Sequence, residues 1–384
     1  MSNLVLSLQP GPSGVRDAVV HLREALNGGP SVMLLPDRVD TPPTGRRTSQ
    51  GCVVLATSGS TGEARGVELD ADALHASARL AEAQLGGPGL WLTAIPVSGA
   101  GGLNTVVRSL LNGHDPVVWE GIAGAAHFDG RAILPSLRML RSRASAAGLR
   151  AYTSLVPTQV ARLLSFANVD DLDSIEALRE LAHLDAVLIG ADALSDQLRI
   201  ALRGYGIHFI TTYGATETCG GCVYDNRPFA DTRVEIEGEE PGRVVIAGPT
   251  VASRYLDDDP DLAHRQWRSN DIGRWRLGHL ELVGRLDDVV KVGGVALALP
   301  LIANALRALA GTEDIAVLAR DDAEWGHVPV AFVANCALSD ATLRQYAASA
   351  TGRTSIPLDI VRVSQLPLLS NGKLDRQQLL AMVK

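Results

Sequence analysis

The chain has 384 residues, 46% of them hydrophobic and 20% charged, with a net charge of −8. This suits a globular protein of two or three domains, and the acidic balance excludes the basic footprint of a nucleic-acid binder. No apolar run is long enough to span a membrane, the N-terminal MSNLVLSLQPGPSG lacks the basic start of a secretory signal, and four cysteines make no disulfide framework, so a reduced cytoplasm is the expected setting.

Residues 14–27 predict an amphipathic helix with Val19, Leu22 and Leu26 on one face, ended by Gly28-Gly29. A polar, basic stretch at Thr41–Gln50 reads as an exposed loop. CVVLA from Cys52 is a buried strand, 71–85 a helix with Asp70 as its N-cap, and LWLTAIP a second strand. The glycine-rich Ser98–Gly102 leads into a helix at 103–111. AVLIG at 186–190 and IHFITTYG at 207–214 are strand-then-glycine units around a helix. Strands alternating with helices predict α/β layers with sites at strand ends. Between 231 and 283 short strands and turns (RVEI, GRVVIAG, HLELVG) predict a small β region. The last hundred or so residues predict a compact α+β unit: helix 300–309, strands 314–319 and 328–334, helix 339–349, strand 359–363 and helix 375–383. The expected division is 1–284 and 285–384, near Gly284–Asp288. The fold class is therefore α/β, with a large layered N-terminal domain and a small α+β C-terminal domain.

The first chemical signal is Thr57-Ser58-Gly59-Ser60-Thr61-Gly62-Glu63-Ala64-Arg65-Gly66, directly after a strand. Four hydroxyls and three glycines make this loop dense in donors. Glycine lets backbone N–H groups approach a phosphate, and Arg65 can neutralise its charge. The loop lacks the Gly-Lys-Ser/Thr end of the common nucleotide loop, and taken alone it is equally a solvated turn between strand and helix.

The loop resembles the phosphate loop T-S-G-S-T-G-x-P-K-G of the adenylate-forming superfamily, which holds acyl-CoA synthetases, peptide-synthetase adenylation domains and luciferase. Ala64 replaces the proline and Arg65 the lysine, so the charge is kept on a wider fork of donors. Four further motifs follow in that family's order. Tyr213-Gly214-Ala215-Thr216-Glu217 resembles Y-G-x-T-E, which implies Tyr213 on adenine, Thr216 at the α-phosphate and Glu217 as a Mg²⁺ ligand. Asn270-Asp271-Ile272-Gly273 resembles the ribose-binding T-G-D-x-G, with Asp271 accepting from the hydroxyls. Gly284-Arg285-Leu286-Asp287-Asp288 with Lys291, Gly293 and Gly294 resembles G-R-x-D-D-x-x-K-x-x-G; Arg285 is implied at ribose or phosphate and Asp287 at a hinge. Leu369-Ser370-Asn371-Gly372-Lys373 resembles the C-terminal G-K motif, whose lysine bridges substrate carboxylate and α-phosphate. Gly190 and Ala191 fall where the family borders adenine. Each motif alone has an ordinary explanation: an exposed carboxylate, a β-turn, a solvated lysine. Their order from 57 to 376 carries the resemblance, although the first motif stands early, which implies a shortened N-terminal domain.

The resemblance implies ATP and Mg²⁺ as cofactors, coenzyme A as the thiol co-substrate and an aromatic carboxylic acid as substrate. The small C-terminal domain is implied to be mobile, one orientation bringing Lys373 to ATP and the other presenting Gly293–Gly294 to a pantetheine tunnel. Thr153–Gln159 and Thr216–Tyr224 are most similar to the o-succinylbenzoate–CoA ligases of menaquinone biosynthesis. Ser98, Gly99, Thr158, Gly220 and Gly221 are the candidate substrate-lining residues, the last two leaving space for a ring. Another aryl- or acyl-CoA ligase, a carrier-loading adenylation enzyme and a non-catalytic nucleotide-binding relative stay open. A homodimer is compatible with the resemblance. Cys219 and Cys222 form a C-x-x-C without a second ligand pair, so packing beside the site is the expectation for both.

Overall fold

The computed structural model describes residues 4–37, 43–58, 64–310, 314–351, 358–367 and 374–383. The chain divides into two compact units, Met1–Glu235 with Val245–Arg268, and Ile236–Val244 with Ser269–Lys384. The mixed α/β class expected from the sequence is the one observed: the larger unit is N-terminal and layered, the smaller C-terminal and α+β. Asp287, the expected hinge, lies within the residues of the second unit.

In the larger unit one sheet runs Gly89–Thr93, Arg150–Leu155, Ala186–Ile189 and Phe209–Ala215 in parallel, and Gly220–Tyr224 closes one side as an antiparallel strand. A parallel sheet covered on both faces has strands that read as continuous apolar runs. Leu90, Trp91 and Leu92 are all buried, as are Ala186 to Ile189. Helices Ala100–Leu111, Gly130–Ala147, Pro157–Ala167 and Leu172–Ala182 pack around these strands. Helix Pro12–Leu26 buries Ala18, Leu22 and Leu26 but leaves Val20 exposed.

A second sheet in this unit carries the hydroxyl-rich loop. Strands Leu4–Leu8, Val32–Pro36 and Cys52–Ser58 are parallel, and Ala64–Asp70 returns antiparallel to Cys52–Ser58, with Thr57 opposite Arg65. The loop is therefore the turn of a β-hairpin, not a connection from strand to helix. The helix begins later, where the Asp70 side chain accepts from Ala73 N–H at 3.0 Å, the cap expected from sequence.

The second unit contains the hairpin Gln266–Arg276/His279–Arg285 from Ser269 onward, and a sheet built on Ile315–Asp322 and Gly326–Val333. Its strands sort their side chains by the two-residue period. Ile315, Val317, Ala331 and Val333 join Ile302, Leu306 and Leu343 of the helices Leu299–Ala310 and Asp340–Thr351. Ala316, Leu318, Val330 and Phe332 face the other way and bury Leu379 of the C-terminal helix Arg376–Ala381.

Candidate active site

The carboxyl ends of the parallel strands form one row in the larger unit. Neighbours run in register, with Leu92 opposite Thr153, Leu155 opposite Ile189 and Ile189 opposite Thr211. Ser98 and Gly99 follow the first strand, Thr158 the second, Gly190 and Ala191 the third, and Thr216 and Glu217 the fourth. In an open α/β sheet the crevice outside these carboxyl ends is where ligands bind. Residues spread over more than a hundred positions are thereby gathered on one edge.

Local chemistry explains why the chain turns there. Gly99 caps helix Ala100–Leu111, and a Cβ at Gly102 would lie 2.2 Å from the Pro96 carbonyl, so only glycine lets this helix start against the strand end. Gln159 accepts from Val156 N–H at 3.0 Å and donates to the Ala94 carbonyl at 3.0 Å, fixing the start of helix Pro157–Ala167 to the neighbouring strand. Thr158 beside it is exposed. Ala191 holds a φ of 71°, a backbone region costly for a residue with a Cβ, directly after Gly190.

Glu217 sits in the short 3₁₀ turn Thr216–Thr218 between two antiparallel strands, and is 8% exposed. Thr218 is fully buried; its hydroxyl accepts from Ala215 N–H at 2.9 Å and donates to Gly220 O at 2.7 Å. Cys219 follows with φ 51°, and its carbonyl accepts from Asn104 Nδ2 at 2.6 Å and Ser77 Oγ at 3.2 Å. Two helices thus clamp the turn that carries Glu217. Tyr213 and Gly214 pair with Val223 and Gly221 beneath it. Cys219 and Cys222 are buried; burial pushes the Cys222 thiol up to about 12 and Cys219 upward as well. Both are packing residues in this geometry.

Glu217 Oε1 accepts from the Tyr255 hydroxyl at 2.8 Å, and that hydroxyl accepts from Trp267 Nε1 at 3.2 Å. The Arg65 guanidinium lies 3.9 Å from the centroid of the Tyr255 ring. It is forked onto Asp257 by Nε and Nη2, both at 3.0 Å, and pairs with Asp259 at 2.9 Å. Arg65, expected to neutralise phosphate, thus makes its described ion pairs with these carboxylates. Thr57 reaches only the Arg65 carbonyl, at 3.5 Å. Gly59, Ser60, Thr61 and Gly62 lie outside the described residues, as do Lys373 and the side chain of Ser58. Sequence reading missed Asn104, Ser77, Gln159, Tyr255, Asp257 and Asp259. The acidic run after Tyr255 (Leu256-Asp257-Asp258-Asp259) was the available signal for the last three.

The second unit holds the remaining predicted residues. Asp271 and Arg285 are cross-strand partners, with Nη1 3.6 Å from Asp271 Oδ1 and Nη2 3.0 Å from Asp287 Oδ2. The carboxylates of Asp287 and Asp271 outweigh burial and raise the Arg285 pKa. Asp271 takes Ser269 Oγ on its backbone N–H at 3.0 Å. Buried Asp288 is paired by both ends of the Arg376 fork, Nη2 at 3.1 Å. Gly293 and Gly294 form the two-residue turn of hairpin Val289–Val292/Val295–Ala298 with φ of 56° and 81°, which glycine accommodates without strain. A Cβ at Gly293 would meet the Trp325 ring at 3.0 Å.

Residues 21–256 match the model of the AMP-binding enzyme family, and residues 301–373 that of the AMP-binding enzyme C-terminal domain. The chain belongs to the AMP-binding enzyme family. A "Probable 2-succinylbenzoate–CoA ligase" of Mycobacterium tuberculosis is 34% identical over 85% of this chain and 83% of its own length. The 2-succinylbenzoate–CoA ligase of Listeria innocua is 26% identical, over 86% of this chain and 70% of its own. In fold, the chain is similar to the Bacillus subtilis o-succinylbenzoate CoA synthetase solved with its acyl-adenylate intermediate: TM-score 0.72, 19% identity, 98% of this chain and 88% of that one. The resemblance read from the ordered motifs is thus that of a true member of the adenylate-forming group. Among the described residues no helix is long and apolar enough to cross a membrane.

Proposed function

We propose that this family member activates a carboxylic acid with ATP, forming an acyl-adenylate and pyrophosphate, and then passes the acyl group to coenzyme A. The acid is 2-succinylbenzoate, and the reaction belongs to menaquinone biosynthesis. The supporting observation is the 34% identity, over most of both chains, to a relative carrying that ligase name.

The residues suit the chemistry. A carboxylate is already a nucleophile, so no general base is required, and catalysis rests on alignment and charge stabilisation. Glu217 offers one hard-oxygen ligand on a turn clamped by two helices. That matches Mg²⁺, which takes one or two carboxylates and fills its shell with phosphate and water. Mg²⁺ bound there would neutralise phosphate charge. Tyr213, Gly190 and Ala191 would border adenine, Asp271 and Arg285 would hold the ribose, and Thr216 would meet the α-phosphate. Ser98, Gly99, Thr158, Gly220 and Gly221 would line the acid. Lys373 would stabilise the developing charge between acid and α-phosphate. The domain limits 1–284 and 285–384 with a pivot at Asp287 are part of this reading, as are a mobile C-terminal domain, the Gly293–Gly294 thiol path, cytoplasmic location and a homodimer.

Pyrophosphate release over a panel of aromatic and aliphatic acids, with and without coenzyme A, tests it. Release with 2-succinylbenzoate and thioester formation on adding coenzyme A are expected. Release without thioester would favour carrier loading, a reading supported by 27% identity over 88% of this chain to a linear gramicidin synthase subunit of Brevibacillus parabrevis. No release with any acid would leave a nucleotide-binding relative.

A further inference from the structure

We infer that Tyr255 is a positioning residue for the Glu217 carboxylate, and that Arg65 acts through Tyr255 instead of on a phosphate. The inference rests on Glu217 being the Mg²⁺ ligand. Four observations carry it. The Tyr255 hydroxyl donates to Glu217 Oε1 at 2.8 Å in a buried setting. Trp267 Nε1 donates into the same hydroxyl at 3.2 Å, so the hydroxyl proton is directed to Glu217 and not elsewhere. The Arg65 guanidinium stacks 3.9 Å from the ring centroid. Asp257 and Asp259 hold that guanidinium from its other edge, and the Asp257 pair is two-pronged.

Each part has a physical consequence. An ionised carboxylate has about four lone-pair sites, so one phenol bond orients Glu217 without exhausting it. Burial, then the adjacent Glu217 charge, raise the Tyr255 pKa and keep the phenol a donor. A planar fork flat against an aromatic face fixes that ring's plane and gains from its quadrupole. The hydroxyl-rich loop lies on the hairpin that Arg65 begins to close, and Tyr255 is cross-strand to Val67 on the same returning strand. The loop and the carboxylate are therefore tied to each other through one phenol. A lysine at position 65, usual in the motif the loop resembles, could carry the charge but neither the two-pronged pair nor the planar stack.

The test is the Mg²⁺ concentration giving half-maximal pyrophosphate release by the full-length enzyme, read together with KM for ATP at saturating Mg²⁺. Tyr255→Phe should raise the Mg²⁺ requirement roughly tenfold, as for loss of a hydrogen bond to a charged group, with little change in KM for ATP. Asp257→Asn and Arg65→Lys should shift it in the same direction by a smaller factor, and neither should add fully to Tyr255→Phe, because the three act in one chain of contacts. Asp257 is half exposed, so its variant keeps the test available should Tyr255→Phe lose the fold. An unchanged Mg²⁺ requirement in Tyr255→Phe and Asp257→Asn would overturn the inference. So would an Arg65→Lys enzyme that behaves as the parent while Arg65→Ala raises KM for ATP, since that pattern marks a direct phosphate contact. Glu217→Gln separates the underlying reading: if it leaves the Mg²⁺ requirement unmoved, Glu217 is not the ligand, whatever Tyr255→Phe does.

Discussion

Asn104 Nδ2 donates to the Cys219 carbonyl at 2.6 Å, linking the middle of helix Ala100–Leu111 to the turn two residues past Glu217. Asn104 is 3% exposed, so the bond has no competition from bulk water. Replacing it by leucine leaves that carbonyl with Ser77 alone and forces a branched chain against Gly220. Asn104→Leu should cost about 1–3 kcal/mol of stability, seen as a lower urea midpoint at unchanged slope. Pyrophosphate release should fall with it, because the displaced turn carries Glu217.

Gly220 closes the same contact from the other side. Its φ is 87°, and an added Cβ would lie 2.3 Å from Asn104 Nδ2. Gly220→Ala therefore meets both backbone strain and a clash, and should lose about 1–3 kcal/mol. Gly278→Ala, with φ 76° but no atom within 4 Å of the added Cβ, provides the control. It should show the strain alone, and the difference between the two urea curves measures the clash.

Asp271 and Arg285 form a pair that stands across two strands whatever ligand is present. On the proposed ribose role, Asp271→Asn removes an acceptor-only group and should raise KM for ATP about tenfold with a smaller effect on kcat. The same substitution should leave the urea midpoint within about 0.5 kcal/mol, since the Asp271 side chain is partly exposed and its pair with Arg285 spans 3.6 Å.

Lys373 and Asp287 test the two half-reactions separately. Lys373→Ala should abolish adenylate formation and spare thioester formation from supplied adenylate. Asp287→Pro should restrict the pivot, so that one half-reaction falls much further than the other. Equal loss of both steps by Lys373→Ala, or full rates for both in Asp287→Pro, would remove these assignments.

The buried thiols predict a pH effect. Burial first, then Glu68 and Asp70, push the Cys52 thiol from its ordinary 9.0 up to about 12, and Cys222 is pushed to about 12 by burial. The folded state holds these protons where the unfolded chain has released them. Stability contributed this way is full below pH 9.0 and declines as pH rises toward about 12. Urea midpoints should therefore fall over that range, and a Cys52→Ser/Cys222→Ser double variant should show a shallower decline. At pH 8 a thiol reagent should modify partly exposed Cys336 far faster than the other three in the native protein.

Much of the architecture was legible in the chain. The strands from Cys52, Leu90 and Ala186 announced themselves as apolar runs, and the Asp70 cap followed from its position before an apolar helical pattern. The alternation at 314–319 and 328–334 marked the two-faced sheet. Other elements were not read: the strands Leu4–Leu8 and Val32–Pro36, the helix Gly130–Ala147 and the hairpin around Gly293–Gly294. The returning strand Ala64–Asp70 was taken for the end of a loop, because glycine and charge dominate ARGVELD and its pairing partner alone makes it a strand.

The site divides the same way. Local sequence determined the order of motifs, the glycines where backbone must approach, and the acid–base character of Glu217, Asp271 and Arg285, since these depend on residue type and near spacing. Tertiary structure decided what each group touches. Arg65 and Asp257 are 192 positions apart, Asn104 and Cys219 115 apart, and Tyr255 and Glu217 38 apart. No periodicity links such pairs; they meet because parallel strands end on one edge and a hairpin returns a cation to an acidic run. The sequence alone read Arg65 as a charge for phosphate, while packing set that charge between two carboxylates and a tyrosine ring.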